Sequence, residues 1–147
     1  MAVNVKIVKL DPGVTTPFYT TKGSVAVDLS AWIDVLGVRI NPGERVLIST
    51  GLKMAIPAGF EGQIRPRSGL AYKNGITVVN TPGTLDSDYT GEIKVCLINL
   101  GQRSYTVMKG DRIAQLVVAE VPRVEFTVVD SLDETARGSG GFGSTGV

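Results

Sequence analysis

Apolar and polar residues alternate in short runs along nearly the whole chain, a period of two that fits strands and leaves almost no room for helix. In the first run Val3, Val5 and Ile7 share one face while Asn4 and Lys6 share the other. Comparable runs cover Ser24 to Ala31, Arg45 to Thr50, Leu52 to Ile56, Gly62 to Arg65, Ile76 to Asn80, Glu92 to Asn99, Ser104 to Met108, Arg112 to Ala119 and Arg123 to Val129. About ten short strands are predicted. The turns between them have a mechanism, because Pro presets φ and Gly accepts positive φ. They are Asp11-Pro12-Gly13, Asn41-Pro42-Gly43, Pro57-Ala58-Gly59, Thr81-Pro82-Gly83 and Lys109-Gly110-Asp111. Such spacing predicts an all-β sandwich, jelly roll or barrel. The one helical piece runs from Ser68 to Asn74, with Ser68 as its cap and Asn74-Gly75 as its stop.

A chain of 147 residues has room for one domain. Fifteen basic residues against fourteen acidic ones leave a net charge of +1, which argues against a broad grip on nucleic acid or an anionic membrane. The chain has no histidine. That excludes a Ser-His-Asp triad and His-ligated zinc, and passes acid-base work to carboxylates, Lys, Tyr or Cys. With Cys96 alone there is no internal disulfide or Cys cage, which fits a reducing compartment. No stretch reaches the roughly 20 apolar residues of a spanning helix, and the start MAVNVKIVKL lacks a signal-peptide core. A soluble, intracellular protein is expected.

Four constellations hold residues suited to chemistry. The stretch Gly138 to Gly146 holds five glycines in nine residues, with Arg137 at its entrance. Gly138 and Gly143 match the glycines of a phosphate loop, but Ser144 takes the lysine position and no helix follows, so a Walker A loop is rejected. Too apolar-poor to fold alone, this tail is either a loose terminus or, given Phe142 and Arg137, a ligand-binding segment. In Arg65-Pro66-Arg67-Ser68-Gly69-Leu70-Ala71 the guanidiniums and the serine either bind an oligophosphate or stand solvated beside a capped turn. Asn80 to Glu92 is a turn rich in acids, among them Asp86. In Gly110 to Val117 an amide, Gln115, interrupts an apolar strand and needs partners, as Asp28 does within Val25 to Leu29. Cys96 and Trp32 read as packing residues, Cys96 as a small buried hydrophobe.

In chain order these pieces resemble the five motifs of the trimeric deoxyuridine triphosphate nucleotidohydrolases, the dUTPases. Asp28-Leu29-Ser30-Ala31 is similar to the first, Pro66 to Ala71 to the second, Asn80 to Glu92 to the third, Gly110 to Val117 to the fourth and Arg137 to Gly146 to the fifth. The likeness spans nearly the whole chain, including a strand pair around Asn41-Pro42-Gly43. It departs where Val25, Ala26 and Val27 precede Asp28 in place of the family's Ala-Gly-Tyr, and where Leu85 replaces the commoner Ile.

The resemblance implies a distorted jelly roll of the β-clip, dUTPase-like type with one short helix, over residues 1–136, followed by a Gly-rich lid over 137–147. It implies hydrolysis of dUTP to dUMP and pyrophosphate, which keeps uracil out of DNA and supplies dUMP for dTMP synthesis. Asp86 would activate the water that attacks the α-phosphorus, with Mg²⁺ on the phosphates and Asp28 contacting the metal through water. Substrate contacts would come from Arg67, Ser68, Gly69, Asn80, Gly83, Tyr89, Gln115, Arg137, Phe142, Gly143, Ser144 and Thr145. Asn80 would read the uracil edge and Tyr89 would lie beneath the deoxyribose. The family's assembly is a homotrimer with each site shared among three chains, located in the cytoplasm, or in the nucleus or an organelle if the source is a eukaryote. A deoxycytidine triphosphate deaminase, the nearest rival, has a glutamate where Asp86 stands. A non-catalytic nucleotide sensor is the rival from another class.

Overall fold

The computed structural model describes residues 2–146; Met1 and Val147, the outer limits of the expected domain and lid, lie outside the described residues. Among the described residues ten strands and one helix are formed. They are β1 (Lys6–Lys9), β2 (Val27–Ser30), β3 (Val38–Ile40), β4 (Arg45–Ala55), β5 (Phe60–Arg65), α1 (Ser68–Asn74), β6 (Ile76–Val78), β7 (Gly83–Leu85), β8 (Glu92–Asn99), β9 (Tyr105–Val107) and β10 (Arg112–Glu120). Every pairing is antiparallel, in two four-stranded sheets ordered β1-β4-β8-β6 and β2-β10-β5-β7 and a ribbon β3-β9. The all-β expectation holds. No helix among the described residues is long and apolar enough to cross a membrane.

The alternation places the core. In β8, Ile93, Val95, Leu97 and Asn99 point inward while Glu92, Lys94, Cys96 and Ile98 take the outer face. Leu29, Ile48, Ile64, Ile113 and Leu116 join the same apolar cluster from the other strands, and Trp32 packs on its margin. Thr50 and Asn99 are the buried polar residues; the Thr50 hydroxyl donates to the Ile93 carbonyl at 2.6 Å, and the Asn99 amide is used on both sides. It donates to the carbonyls of Ile40 (2.9 Å) and Arg103 (2.8 Å) and accepts from the Gly101 N–H (2.9 Å), tying β3 to the loop before β9. Cys96 corrects an expectation. It is half-buried on the outer face of its sheet, opposite the exposed Leu47, because its place in the alternation points it away from the core.

Four other expectations change. The two runs split at Gly51 form one strand, β4, since Gly51 takes φ 68° inside a bulge whose N–H donates to Glu92 Oε1 at 3.0 Å. The run Arg123 to Val129 forms no strand, because its row of Val124, Phe126 and Val128 meets no partner strand within the chain and stays exposed. The strands flanking Asn41-Pro42-Gly43 do not pair with each other; β3 pairs with β9 and β4 with β8. Finally, Arg67 and not Ser68 occupies the cap position of α1, in extended conformation and without a side-chain cap bond. The turn therefore starts one residue earlier, held by the Arg67 carbonyl accepting from the Ala71 N–H, and ends as expected at Gly75 with φ 69°.

Candidate active site

The sheet β2-β10-β5-β7 carries two groups of expected site residues at different places along its strands. The first is a charged cluster built by register. A bulge between Arg112 and Ala114 turns both Ile113 and Ala114 into the core and sets Gln115 opposite Asp28 on one side and Arg65 on the other. The polar residues that interrupt two apolar runs are thus cross-strand neighbours. Just past the end of β5, Arg67 Nε donates to Asp28 Oδ1 at 2.9 Å, and Arg112 Nη1 reaches Asp28 Oδ2 at 3.1 Å. Arg67 Nη1 also donates to the Arg112 carbonyl (3.2 Å).

Gln115 Nε2 donates to the Pro66 carbonyl at 2.8 Å, which turns the amide oxygen the other way as an acceptor. Ser68 and Gly69 follow Arg67 as the first residues of α1. The field of Arg67 extends to Tyr105. Burial chiefly raises that phenol above its ordinary 10.0, and the Asp111 charge adds to the effect while Arg67 opposes it.

The second group lines a pocket of about 480 Å³ beside β7. Asn80, Gly83, Leu85, Asp86 and Tyr89 all contribute to its wall. The Asn80 amide lies against Gly83, where a Cβ would come within 3.2 Å of Nδ2. Leu85 is buried, and the next residue, Asp86, is exposed. The Asp86 carbonyl accepts from the Tyr89 N–H at 3.1 Å, closing the turn, and Tyr89 Oη donates to the Glu92 carbonyl at 2.8 Å.

The two groups do not meet within one chain. Leu85 pairs with Gly62 near the start of β5, whereas Arg67 lies beyond Arg65 at its end. The strand from Gly62 to Arg65 alone spans about 10 Å. Neither Arg67, Ser68 nor Gln115 lines the pocket that Asp86 lines.

The tail reaches neither group. Arg137 Nε donates to the Gly140 carbonyl at 2.8 Å, Phe142 is fully exposed, and Gly143, Ser144 and Thr145 lie in exposed turns.

Among the described residues no three acidic or thiol side chains converge as a metal cage. One carboxylate, Asp28, stands in the charged cluster, and both its oxygens face guanidiniums. Such a donor set fits a magnesium ion carried in on phosphate oxygens and waters, and does not fit one caged by protein ligands.

Some functional neighbours were not singled out from sequence. Arg112 had the signal of standing three residues before Gln115 in the same strand. Glu92 closes the acid-rich stretch that begins at Asn80, whereas Leu47 and Lys94 of the pocket wall had no signal, since the β4–β8 pairing brings them there.

A dUTPase family model matches residues 13–146. The chain is 55% identical over 144 residues to the deoxyuridine 5'-triphosphate nucleotidohydrolase of Wolinella succinogenes, across 98% of this chain and 95% of that one. Among solved structures, the dUTPase of Staphylococcus bacteriophage 80alpha with dUPNHPP matches with a TM-score of 0.84 and 26% identity, covering 98% of this chain and 99% of that one. The dUTPase of phage phi11 of S. aureus, which coordinates a structural Mg(II) ion, shares the fold with a TM-score of 0.78 at 21% identity, over 87% of this chain and 97% of that one. Fold and relatives define a jelly-roll hydrolase of nucleotide metabolism. The chain belongs to the dUTPase family.

Proposed function

We propose that this protein hydrolyses dUTP to dUMP and pyrophosphate at sites assembled from several copies of the chain. What carries the shared-site reading is the separation just described, because a phosphate held at Arg67 is out of reach of the same chain's Asp86. A second chain must bring its Asp86 turn to the Arg67 cluster. The exposed row Val124, Phe126 and Val128 and the exposed Leu47 supply apolar surface suited to such assembly. A homotrimer, with one chain giving Asp28, Arg67 and Gln115, another the Asp86 pocket and the third the tail, accounts for all of them.

In this reading Asp86 accepts a proton from water as its oxygen bonds to the α-phosphorus. The bond from that phosphorus to the bridging oxygen of the β-phosphate breaks, leaving pyrophosphate. A carboxylate is the available base in a chain without histidine. Arg67 and Ser68 hold phosphate oxygens by charge-assisted bonds, and the Gln115 amide oxygen, turned outward by the Pro66 carbonyl, orients the water. Asp28 aligns Arg67 and is the carboxylate that would hold a magnesium ion through its hydration water, an ion that would supply charge neutralisation to the phosphates. Asn80 pairs with the uracil edge, where cytosine presents a donor in place of an acceptor. Tyr89 packs beneath the deoxyribose. The tail closes with Arg137, Gly143, Ser144 and Thr145 on the phosphates and Phe142 on the base. The dUMP formed would feed dTMP synthesis, removal of dUTP would keep uracil out of DNA, and a cytoplasmic setting suits both.

Pyrophosphate release from dUTP, dCTP, dTTP and UTP, each with and without Mg²⁺, tests this reading. Magnesium-stimulated activity confined to dUTP is expected, while ammonia release from dCTP or inertness toward dUTP would overturn it.

A further inference from the structure

We propose that Gly91 is a positioning residue for Tyr89 and, through that ring, a determinant of the choice between deoxyribose and ribose. The inference rests on the reading of Tyr89 as the platform beneath the sugar. Gly91 is not among the glycines with positive φ, so its backbone conformation is open to any residue. Space is what demands glycine there. A Cβ at Gly91 would lie 2.5 Å from Tyr89 Oη, 2.6 Å from Cζ and 2.9 Å from Cε2. Ordinary carbon contacts are about 3.5 to 4.0 Å, so the ring would have to move by about 1 Å.

The threatened atoms are at the hydroxyl end of the ring, where Oη donates to the Glu92 carbonyl at 2.8 Å. That bond and the absent Cβ together let the ring fold back over its own turn. Glu92 is itself held, its carboxylate accepting from the Gly51 N–H in the bulge of β4. Tyr89 keeps 44% of its surface exposed and lines the pocket shared with Asn80 and Asp86, whereas Gly91 does not line it. An effect of Gly91 on sugar choice therefore passes through the ring. A single added methyl group would lift the hydroxyl end off its anchor and remove the surface that distinguishes a sugar with a 2′-oxygen from one without.

The test compares the full-length wild type, Gly91→Ala, Tyr89→Ala and the double variant, measuring kcat and KM for dUTP and UTP. Gly91→Ala should lower the dUTP-to-UTP ratio of kcat/KM by on the order of tenfold, mainly through KM for dUTP. In the Tyr89→Ala background, where no ring remains to be displaced, the same substitution should add nothing. An unchanged ratio in Gly91→Ala, or an equal loss in both backgrounds, would overturn the proposal. If Gly91→Ala does not fold, a folded double variant with the kinetics of Tyr89→Ala supports it and an unfolded one overturns it. Failure of the underlying reading shows separately, as a wild type inert toward dUTP or a Tyr89→Ala variant whose sugar preference is intact.

Discussion

The Asp28–Arg67–Arg112 cluster and the Arg137 to Gly146 tail carry similar chemistry, guanidiniums and hydroxyls suited to phosphate, yet they are held in opposite ways. In the cluster, both guanidiniums face Asp28, Arg112 from the register of β10 on β2 and Arg67 from the cap of α1, so their ordering is part of folding. In the tail, local turns alone hold Arg137, and Phe142 meets no core. Fixing nine such residues costs about 9 to 18 kcal/mol at roughly 1 to 2 each. Charge-assisted contacts contribute about 1.5 to 3 kcal/mol apiece, so several must form at once, together with stacking by Phe142, before closure is favourable. A triphosphate offers that many. On the proposed reading the frame would set where phosphate sits, and the tail would make the closed state depend on the ligand.

Substitutions on each side sharpen this contrast. The largest effect is expected from Asp86→Asn, which should lower kcat by about 10³ to 10⁴ with little change in KM, in steady-state assays on dUTP. Removing residues 137–147 should lower kcat/KM by about 10² to 10³ and leave the thermal midpoint unchanged, since the hydrogen bonds of the described tail residues are local, reaching back no further than Thr135. A fall in midpoint would break the comparison by showing that the tail belongs to the folded unit. Limited proteolysis gives a milder check: cleavage within the tail should slow when a non-hydrolysable dUTP analogue is added, and cleavage rates that ignore the analogue would contradict ligand-driven closure.

Asp28→Asn should weaken alignment of Arg67 and Arg112, raising KM for dUTP by about tenfold with a smaller effect on kcat, measurable in the same assay. Smallest is Glu44, outside the site, whose carboxylate is lowered from its ordinary 4.5 first by the Asn41 backbone N–H, then by the Asn41 side chain and Arg39. A lowered pKa stabilises the fold above the unfolded value and loses that contribution as pH falls through the folded one. Glu44→Gln should thus lower the urea midpoint slightly at neutral pH, with the difference vanishing well below pH 4.5.

The parts of the fold that were legible in sequence were those with a strong period. The alternation of Ile93, Val95 and Leu97 and the stop at Gly75 survive intact in the structure. The short β7, hidden in a Pro-Gly turn, has only three residues and is held by pairing with Gly62 to Ile64, which is a tertiary cause. Gly51 looked like a break because local sequence does not reveal that Glu92, 41 positions away, satisfies its N–H. Likewise the motif residues could be named from their spacing, but not the ion pairs joining Asp28 to Arg67 and Arg112, which depend on the bulge in β10. Nor does spacing reveal that Asp86 and Arg67 lie apart in the chain.

The sharing of each site among several chains is tested most directly by complementation. Asp86→Asn chains and chains lacking residues 137–147, each inactive alone, are mixed in equal amounts, unfolded and refolded together. If Asp86 and the tail reach each site from different chains, half the sites draw an intact Asp86 and half of those an intact tail. About a quarter of the wild-type activity should then return. A refolded mixture that stays as inactive as either parent would contradict the shared site.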